Sequence, residues 1–123
     1  MPATLVHMTL ASERVDASMH FYRSVFGQEF VPVRLGDVTL YRGSIAGMGM
    51  VICPSGMAAV HANRSRHQLQ FQVENVEQLI ERCEAAGGKV HTPLMDHNGR
   101  DYAVVCDPDN NTIEFVGYPR EDA

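Results

Sequence analysis

The sequence predicts an α+β fold built from two copies of a β-α-β-β-β module. The chain repeats itself at a spacing of 61 residues, so that His7 and Gly27 are matched by Gln68 and Gly88. Each half also reads as an alternating strand, an amphipathic helix that ends at glycine, and further strands. Two such modules predict matching half-sheets that form one cupped, mixed β-sheet with the helices on its outer face.

The first module is predicted over residues 4–54. Residues 4–10 alternate between apolar and polar side chains and predict a strand. The helix is predicted over 15–26, because apolar residues recur there at helical spacing, and Gly27 ends it in the left-handed conformation. Three short strands are predicted to follow, at residues 30–34, 38–42 and 48–53.

The second module is predicted over residues 67–118, after a link at 55–66. Its first strand has a clean period of two, because three glutamines alternate with Leu69, Phe71 and Val73. Asn75 and Gln78 resemble a capping box that opens the second helix. The remaining strands are predicted at 89–92, 101–106 and 112–116. Both modules together are predicted to make a single domain over residues 1–123.

Composition and charge exclude several classes of partner. The formal net charge is −5 and the isoelectric point is near 5.6, which argues against nucleic acid or an anionic membrane as the partner. No apolar stretch reaches the roughly 20 residues that a bilayer requires, and the N-terminus lacks the features of a signal peptide. The three cysteines are widely spaced, which argues against a disulfide scaffold. We therefore expect a cytoplasmic protein.

Strand alternation places a set of polar side chains on the concave side of the predicted sheet. In the first strand His7 and Thr9 take this side, opposite the apolar residues. In the last strand Glu114 takes it, between the large apolar residues Ile113 and Phe115. A partly buried carboxylate is costly unless it is paired or liganded, so Glu114 is the strongest candidate for a functional role. The second module's first strand adds Gln68, Gln70 and Gln72.

These motifs resemble the vicinal oxygen chelate superfamily, which holds glyoxalase I, bleomycin-resistance proteins, fosfomycin-resistance enzymes and extradiol dioxygenases. The matching segments are residues 7–10, 18–22 and 26–27 in the first half, and 71–76, 85–88 and 107–114 in the second. The resemblance covers nearly the whole chain, from about residue 4 to 118. It implies the fold of that superfamily, on which many different chemistries occur.

The resemblance implies a divalent metal ion in the cup, held by the first and last strands of each module. Carried over residue by residue, it implies His7, Gln68 and Glu114 as ligands, which would suit Zn, Ni, Mn or Fe. Glu114 would alternatively serve as a general base. The simpler interpretations are that His7 bonds Glu114, that Glu114 pairs with His7 or Arg100, and that Gln68 is a polar pocket wall. His67 has the parity of the core and would become a ligand only at a β-bulge.

The fourth ligand of a glyoxalase-type site would be a carboxylate on the strand at 48–53. No Asp or Glu occurs from residue 38 to 73. At the constant spacing of 61 residues, Cys53 is the counterpart of Glu114 in the first module. If the loops of the two modules differ in length, the counterpart would be Met50 or Ile52. A three-ligand site is the remaining possibility.

Three functional hypotheses follow. The first is a metal-dependent enzyme, a lyase, isomerase, transferase or dioxygenase, acting on a small oxygenated metabolite through Glu114 and the metal. The second is a metal-free protein that binds or sequesters a small molecule in the same cleft, and a scaffold domain with a vestigial pocket is a third possibility. The residues predicted to line the pocket are Thr9, Tyr41, Met50, Gln70, Gln72 and Tyr102. The resemblance also implies a homodimer.

Overall fold

The computed structural model describes residues 6–58 and 68–120. The chain divides into two compact units, with the boundary between His61 and Ala62. Each unit contains one four-stranded sheet and one long helix. His67, the start of the strand predicted at 4–10, and most of the link predicted at 55–66 lie outside the described residues, and the assignment of both modules to a single domain stays a prediction.

The first unit has the β-α-β-β-β order that the sequence predicts. Its sheet has the order β1-β4-β3-β2, with β1 parallel to β4 and the other neighbours antiparallel. One further helical turn, α2, lies within the predicted link. The elements are β1 His7–Ser12, α1 Val15–Phe26, β2 Val31–Leu35, β3 Val38–Ile45, β4 Met48–Pro54 and α2 Ser55–Ala58.

Helix α1 has the predicted bounds and packs against β3 and β4. Gly27 ends it with φ 67°, and its N–H donates to the carbonyl of Arg23 at 2.9 Å. The next strands pass close to the chain that leaves the helix. A Cβ atom on Gly43 would lie 2.7 Å from the carbonyl oxygen of Glu29 and from the ring of Phe30. Position 43 therefore has to be glycine for β3 to pack under this segment.

The second unit repeats this architecture, with the strand order β5-β8-β7-β6 and with β5 parallel to β8. Strand β6 runs to His97, five residues beyond the predicted end. Its pairing with β7 shifts register around Pro93, and a proline without an N–H is tolerated on such an edge strand. The elements are β5 Leu69–Gln72, α3 Val76–Ala85, β6 Lys89–His97, β7 Arg100–Cys106 and β8 Thr112–Val116.

Helix α3 is capped as the sequence predicts. The side chain of Asn75 accepts a hydrogen bond from the backbone N–H of Gln78 at 3.0 Å. At the other end the N–H of Gly88 donates to the carbonyl of Cys83 at 2.8 Å. Cys83 is fully buried, and burial raises the pKa of its thiol to about 12. The thiol is therefore an inert core group.

The turn between β7 and β8 is fixed by a buried carboxylate. Asp107 is 2% exposed, and its Oδ1 accepts hydrogen bonds from the backbone N–H groups of Asp109 and Asn111, each at 2.9 Å. Asn110 has φ 67°, a conformation that Asn tolerates. This turn sets where β8 begins and so positions Glu114 along the sheet.

None of the helices in the described part of the chain has both the length and the apolar character that crossing a membrane requires. The longest, α1, has 12 residues.

Candidate functional site

Each sheet has one face covered by its helix and one face turned away from it, which we call the open face. In the first unit Met50 and Ile52 of β4 are buried on the helix side. The register pairs His7 with Gly49 and Thr9 with Val51. Because neighbouring residues of a strand point to opposite faces, His7 and Thr9 lie on the open face, as predicted.

The side chains of His7 and Thr9 are hydrogen-bonded to each other. Both side chains are exposed, and the hydroxyl of Thr9 lies 3.2 Å from Nε2 of His7. The imidazole is thus held on the open face at the start of β1, where a ligand would reach it.

Tyr41 does not lie on the open face, so its assignment to the pocket is corrected. It pairs in register with Ile52 and shares the helix side of the sheet. Its hydroxyl donates a hydrogen bond to Oδ1 of Asp16 on α1, at 2.8 Å. This bond, together with desolvation and the charge of Asp16, raises the pKa of Tyr41.

The strand register identifies the residue that takes the place of Glu114 in the first unit. Thr9 and Gln70 are equivalent residues of β1 and β5. Thr9 pairs with Val51, and Gln70 pairs with Glu114. Val51 therefore occupies the position where the second unit has a carboxylate, and a valine side chain has no donor atom for a metal.

The sequence spacing proposed Cys53, Met50 or Ile52 for the position equivalent to Glu114, and the register corrects this prediction. Cys53 pairs with Ala11, one step further along the open face, and is 4% exposed. Met50 and Ile52 are buried on the helix side. The prediction that Met50 lines the pocket is therefore corrected as well. The four-ligand site of the glyoxalases therefore does not fit this chain.

Glu114 lies on the open face of the second sheet, in the interior strand β8. The buried residues Ile113 and Phe115 on either side of it face the helix side. Its register partners are Gln70 on β5 and Val104 on β7. The carboxylate is half-buried, and it stands over a surface that includes the buried Val104.

The partner of Glu114 is Tyr102. The phenol donates a hydrogen bond to Oε2 of Glu114 at 2.5 Å. The same bond, then desolvation and the carboxylate charge, raises the pKa of Tyr102, so the phenol keeps its proton. The ring of His97 lies against it, with 5.4 Å between ring centroids. The sequence predicted Tyr102 as pocket lining but did not predict this pairing.

Two further hydrogen bonds organise the same face. The side-chain amide of Gln68 donates to the hydroxyl of Thr112 at 3.0 Å. The guanidinium of Arg100 donates to Oε1 of Gln72 at 3.4 Å. Arg100 thus pairs with a glutamine and not with Glu114, which corrects one of the simpler interpretations of Glu114.

Metal-ligating residue types do not cluster in the described ranges, 6–58 and 68–120. No group of three or more His, Cys, Asp or Glu side chains there could hold a metal ion. The three-residue set His7, Gln68 and Glu114 supplies imidazole, amide and carboxylate donors, a chemically suitable combination for Zn, Ni, Mn or Fe.

Solved structures of similar fold include a glyoxalase-related enzyme from Fulvimarina pelagi, which is 23% identical, with a TM-score of 0.74 over 94% of this chain and 88% of that one. The fosfomycin resistance protein FosX from Listeria monocytogenes is 20% identical, with a TM-score of 0.73 over 99% and 98% of the two chains. A lactoylglutathione lyase from Agrobacterium tumefaciens is 21% identical, with a TM-score of 0.70 over 95% of each. These likenesses show the fold.

No curated protein matches the chain. A family model does match it, over residues 4–115. Together with the β-α-β-β-β units, this match shows that the chain belongs to the Glyoxalase/Bleomycin resistance protein/Dioxygenase superfamily, as the sequence motifs indicated.

Proposed function

We propose that the protein binds a small organic molecule on the open face of its second sheet, with Glu114 as the polar centre. The observation that carries the proposal is the placement of this carboxylate. Glu114 is half-buried on an interior strand and is held in one orientation by Tyr102. Desolvating a carboxylate costs stability, so an oriented carboxylate on an open sheet face indicates a role in binding.

The surroundings of Glu114 support a ligand site. The face combines apolar side chains with a few oriented polar groups, which is the usual composition of small-molecule pockets. Val104 and Val116 are 5% and 8% exposed, and the ring of Tyr102 stands beside them. Proteins of this superfamily bind small-molecule ligands.

A second candidate function is a metal-dependent enzyme of lyase or dioxygenase type. The observation in its favour is that His7, Gln68 and Glu114 all belong to the open faces of their sheets. Superfamily members commonly use divalent metals. In this chain those three residues would hold the ion, and the ion would polarise paired oxygen atoms of a substrate. Val51, in place of a carboxylate, makes this the second candidate.

The binding proposal is tested by screening a library of neutral fragments against protein with labelled methyl groups. Binding on the open face would shift the methyl signals of Val104 and Val116. The helix-side residues Val105 and Ile113, on the same two strands, are matched internal controls. Shifts confined to the helix-side methyls, or no binding by any fragment, would contradict the proposal.

The two candidates are separated by metal binding. The first predicts less than about a tenth of an equivalent of bound metal and no thermal shift with Ni, Zn, Mn or Fe. The second predicts a stabilisation that His7→Ala abolishes and that the control His20→Ala, on the exposed side of α1, retains. A metal-dependent shift that both variants retain would exclude His7 as a ligand.

We further propose that the protein is a cytoplasmic homodimer. The edge strand β2 supports a partner, because Val31 and Leu35 are 62% and 55% exposed there. A second copy of the chain would cover them. Sedimentation would detect the dimer, and Leu35→Lys would weaken it, whereas the control Arg34→Lys on the same strand would not. A wild-type monomer at all concentrations would contradict this.

A further inference from the structure

The open face of the second sheet carries two opposite charges that are not paired with each other. Arg100 and Glu114 are both half-buried there. Neither residue takes part in the ion pairs that Arg120 makes with Asp96 and Asp101. Arg100 and Glu114 therefore have neutral protein partners and keep their charges available.

Two hydrogen bonds bring these charges to the same level of the sheet. Gln72 and Tyr102 are the two register partners of Val116, one on each side of it. Arg100 donates to Gln72, and Glu114 accepts from Tyr102. The guanidinium and the carboxylate are thus directed to opposite sides of the buried Val116.

Both charged groups retain hydrogen-bonding capacity. A guanidinium has five N–H donors, and the hydrogen bond to Gln72 uses one nitrogen of Arg100. The carboxylate of Glu114 accepts through Oε2, which leaves Oε1 without a hydrogen bond to any described residue. Gln70, the register partner of Glu114 on β5, is exposed on the same face. A complementary ligand would present an N–H donor to Glu114 and an acceptor to Arg100.

Resting on the proposed function, we propose that the ligand of this face is a zwitterion of the amino-acid type, with an ammonium group on Glu114 and a carboxylate on Arg100. Hydrogen bonds in which the donor or the acceptor is ionised are roughly twice as strong as neutral ones. The ligand's apolar part would lie against the half-buried ring of Tyr102, which already contacts His97. An aromatic body suits this surface because ring pairs are favourable.

The opposite charges explain why a singly charged ligand would bind less well. A cation alone would gain from Glu114 but would be repelled by Arg100, and an anion alone would meet the reverse arrangement. A zwitterion satisfies both groups at once. The structure therefore predicts selectivity for the presence of two charges, and not for either charge by itself.

The test uses three probes of one shape: phenylalanine, phenethylamine and 3-phenylpropionate. Their affinities are measured by the same methyl NMR titration for the wild-type protein. We expect phenylalanine to bind about tenfold more tightly than either analogue, which corresponds to roughly one charge-assisted hydrogen bond. Glu114→Gln should lose the preference over 3-phenylpropionate, and Arg100→Gln the preference over phenethylamine.

Tyr41→Phe is the matched control, because it removes a tyrosine–carboxylate hydrogen bond on the helix side of the other sheet. It should leave all three affinities unchanged. Equal binding of the three probes, or a ranking that neither charge variant alters, would overturn the zwitterion proposal. If the three probes fail while neutral fragments still shift Val104 and Val116, only this inference is lost. If no fragment binds the open face, the proposed function is lost as well.

Discussion

Removing the hydroxyl group of Tyr102 is the most informative single change to the candidate site. Tyr102→Phe keeps the ring against His97 but leaves Oε2 of Glu114 without its donor. A hydrogen bond to a charged group contributes about 1.5–3 kcal/mol when it is well buried. Both groups here are half-buried, so solvent screening reduces the expected loss of unfolding free energy to about 1 kcal/mol. For a chain of this size that is a decrease in Tm of about 3–5 °C.

The pH dependence of this loss follows from the raised pKa of Tyr102. The folded protein holds the phenol's pKa above its usual 10.0, chiefly through the hydrogen bond to Glu114. Folding therefore favours the protonated phenol. The stabilisation is fully present below pH 10 and is lost as the pH rises through the folded-state pKa. The stability difference between wild type and Tyr102→Phe should accordingly be constant near neutrality and shrink in alkaline solution.

Urea unfolding at a series of pH values measures this difference directly. Tyr41→Phe is the comparison, because Tyr41 donates to the exposed Asp16 and its pKa is also raised, but it lies away from the open face. Tyr41→Phe should lose no more stability than Tyr102→Phe, and it should not alter ligand binding. If Tyr102→Phe is as stable as wild type at pH 7, or if its loss of stability grows with pH, the hydrogen bond to Glu114 does not stabilise the fold.

Three further predictions concern the framework around the site. Gly43→Ala should destabilise the fold by about 2 kcal/mol or more in urea unfolding, because the new Cβ meets backbone at 2.7 Å; an unchanged midpoint would contradict the packing described. Asp107→Ala removes the acceptor of the turn before β8 and should cost about 2–4 kcal/mol, whereas the control Asp37→Ala in the exposed β2–β3 turn should cost little; equal effects would contradict the role of Asp107. Cys83 should resist thiol reagents at pH 8 until the protein is unfolded, because its thiol is buried with a pKa of about 12; labelling of Cys83 in the folded protein would contradict its burial.

The helices and the cleanly alternating strands were predictable from the sequence. The apolar spacing and Gly27 predicted α1 at its observed bounds, Val15–Phe26. Strict alternation in β5 and around Glu114 gave the correct faces for those residues. Their role as ligands or in catalysis stays a prediction.

Faces in the middle strands of the first unit were not predictable. Strand β4 has apolar residues at nearly every position, so alternation does not indicate which of them face the helix. Met50 and Tyr41 were therefore both predicted to line the pocket, although no pattern in the sequence fixed their faces. The helix-side position of both residues is set by strand register, which the sequence does not specify.

The counterpart of Glu114 was missed because the two modules differ in length. Gln68 follows His7 by 61 residues, but Glu114 follows its counterpart Val51 by 63. The connection before β8, residues 107–111, is longer than the connection before β4, residues 46–47, and this difference contributes to the shift. A constant offset therefore selected Cys53. The hydrogen bond between Tyr102 and Glu114 was also missed. It joins diagonal neighbours on β7 and β8, and the sequence does not specify the register of these two strands.

Calorimetric titration of the tightest-binding fragment into wild-type protein and into Glu114→Gln shows whether Glu114 anchors the ligand. The variant keeps the size of the side chain and its hydrogen bond from Tyr102 but removes the charge that would anchor the ligand. We expect an affinity about tenfold weaker for this variant and an unchanged affinity for the surface control Glu77→Gln on α3. Equal affinities for wild type and Glu114→Gln would contradict the assignment of Glu114 as the polar centre of the site.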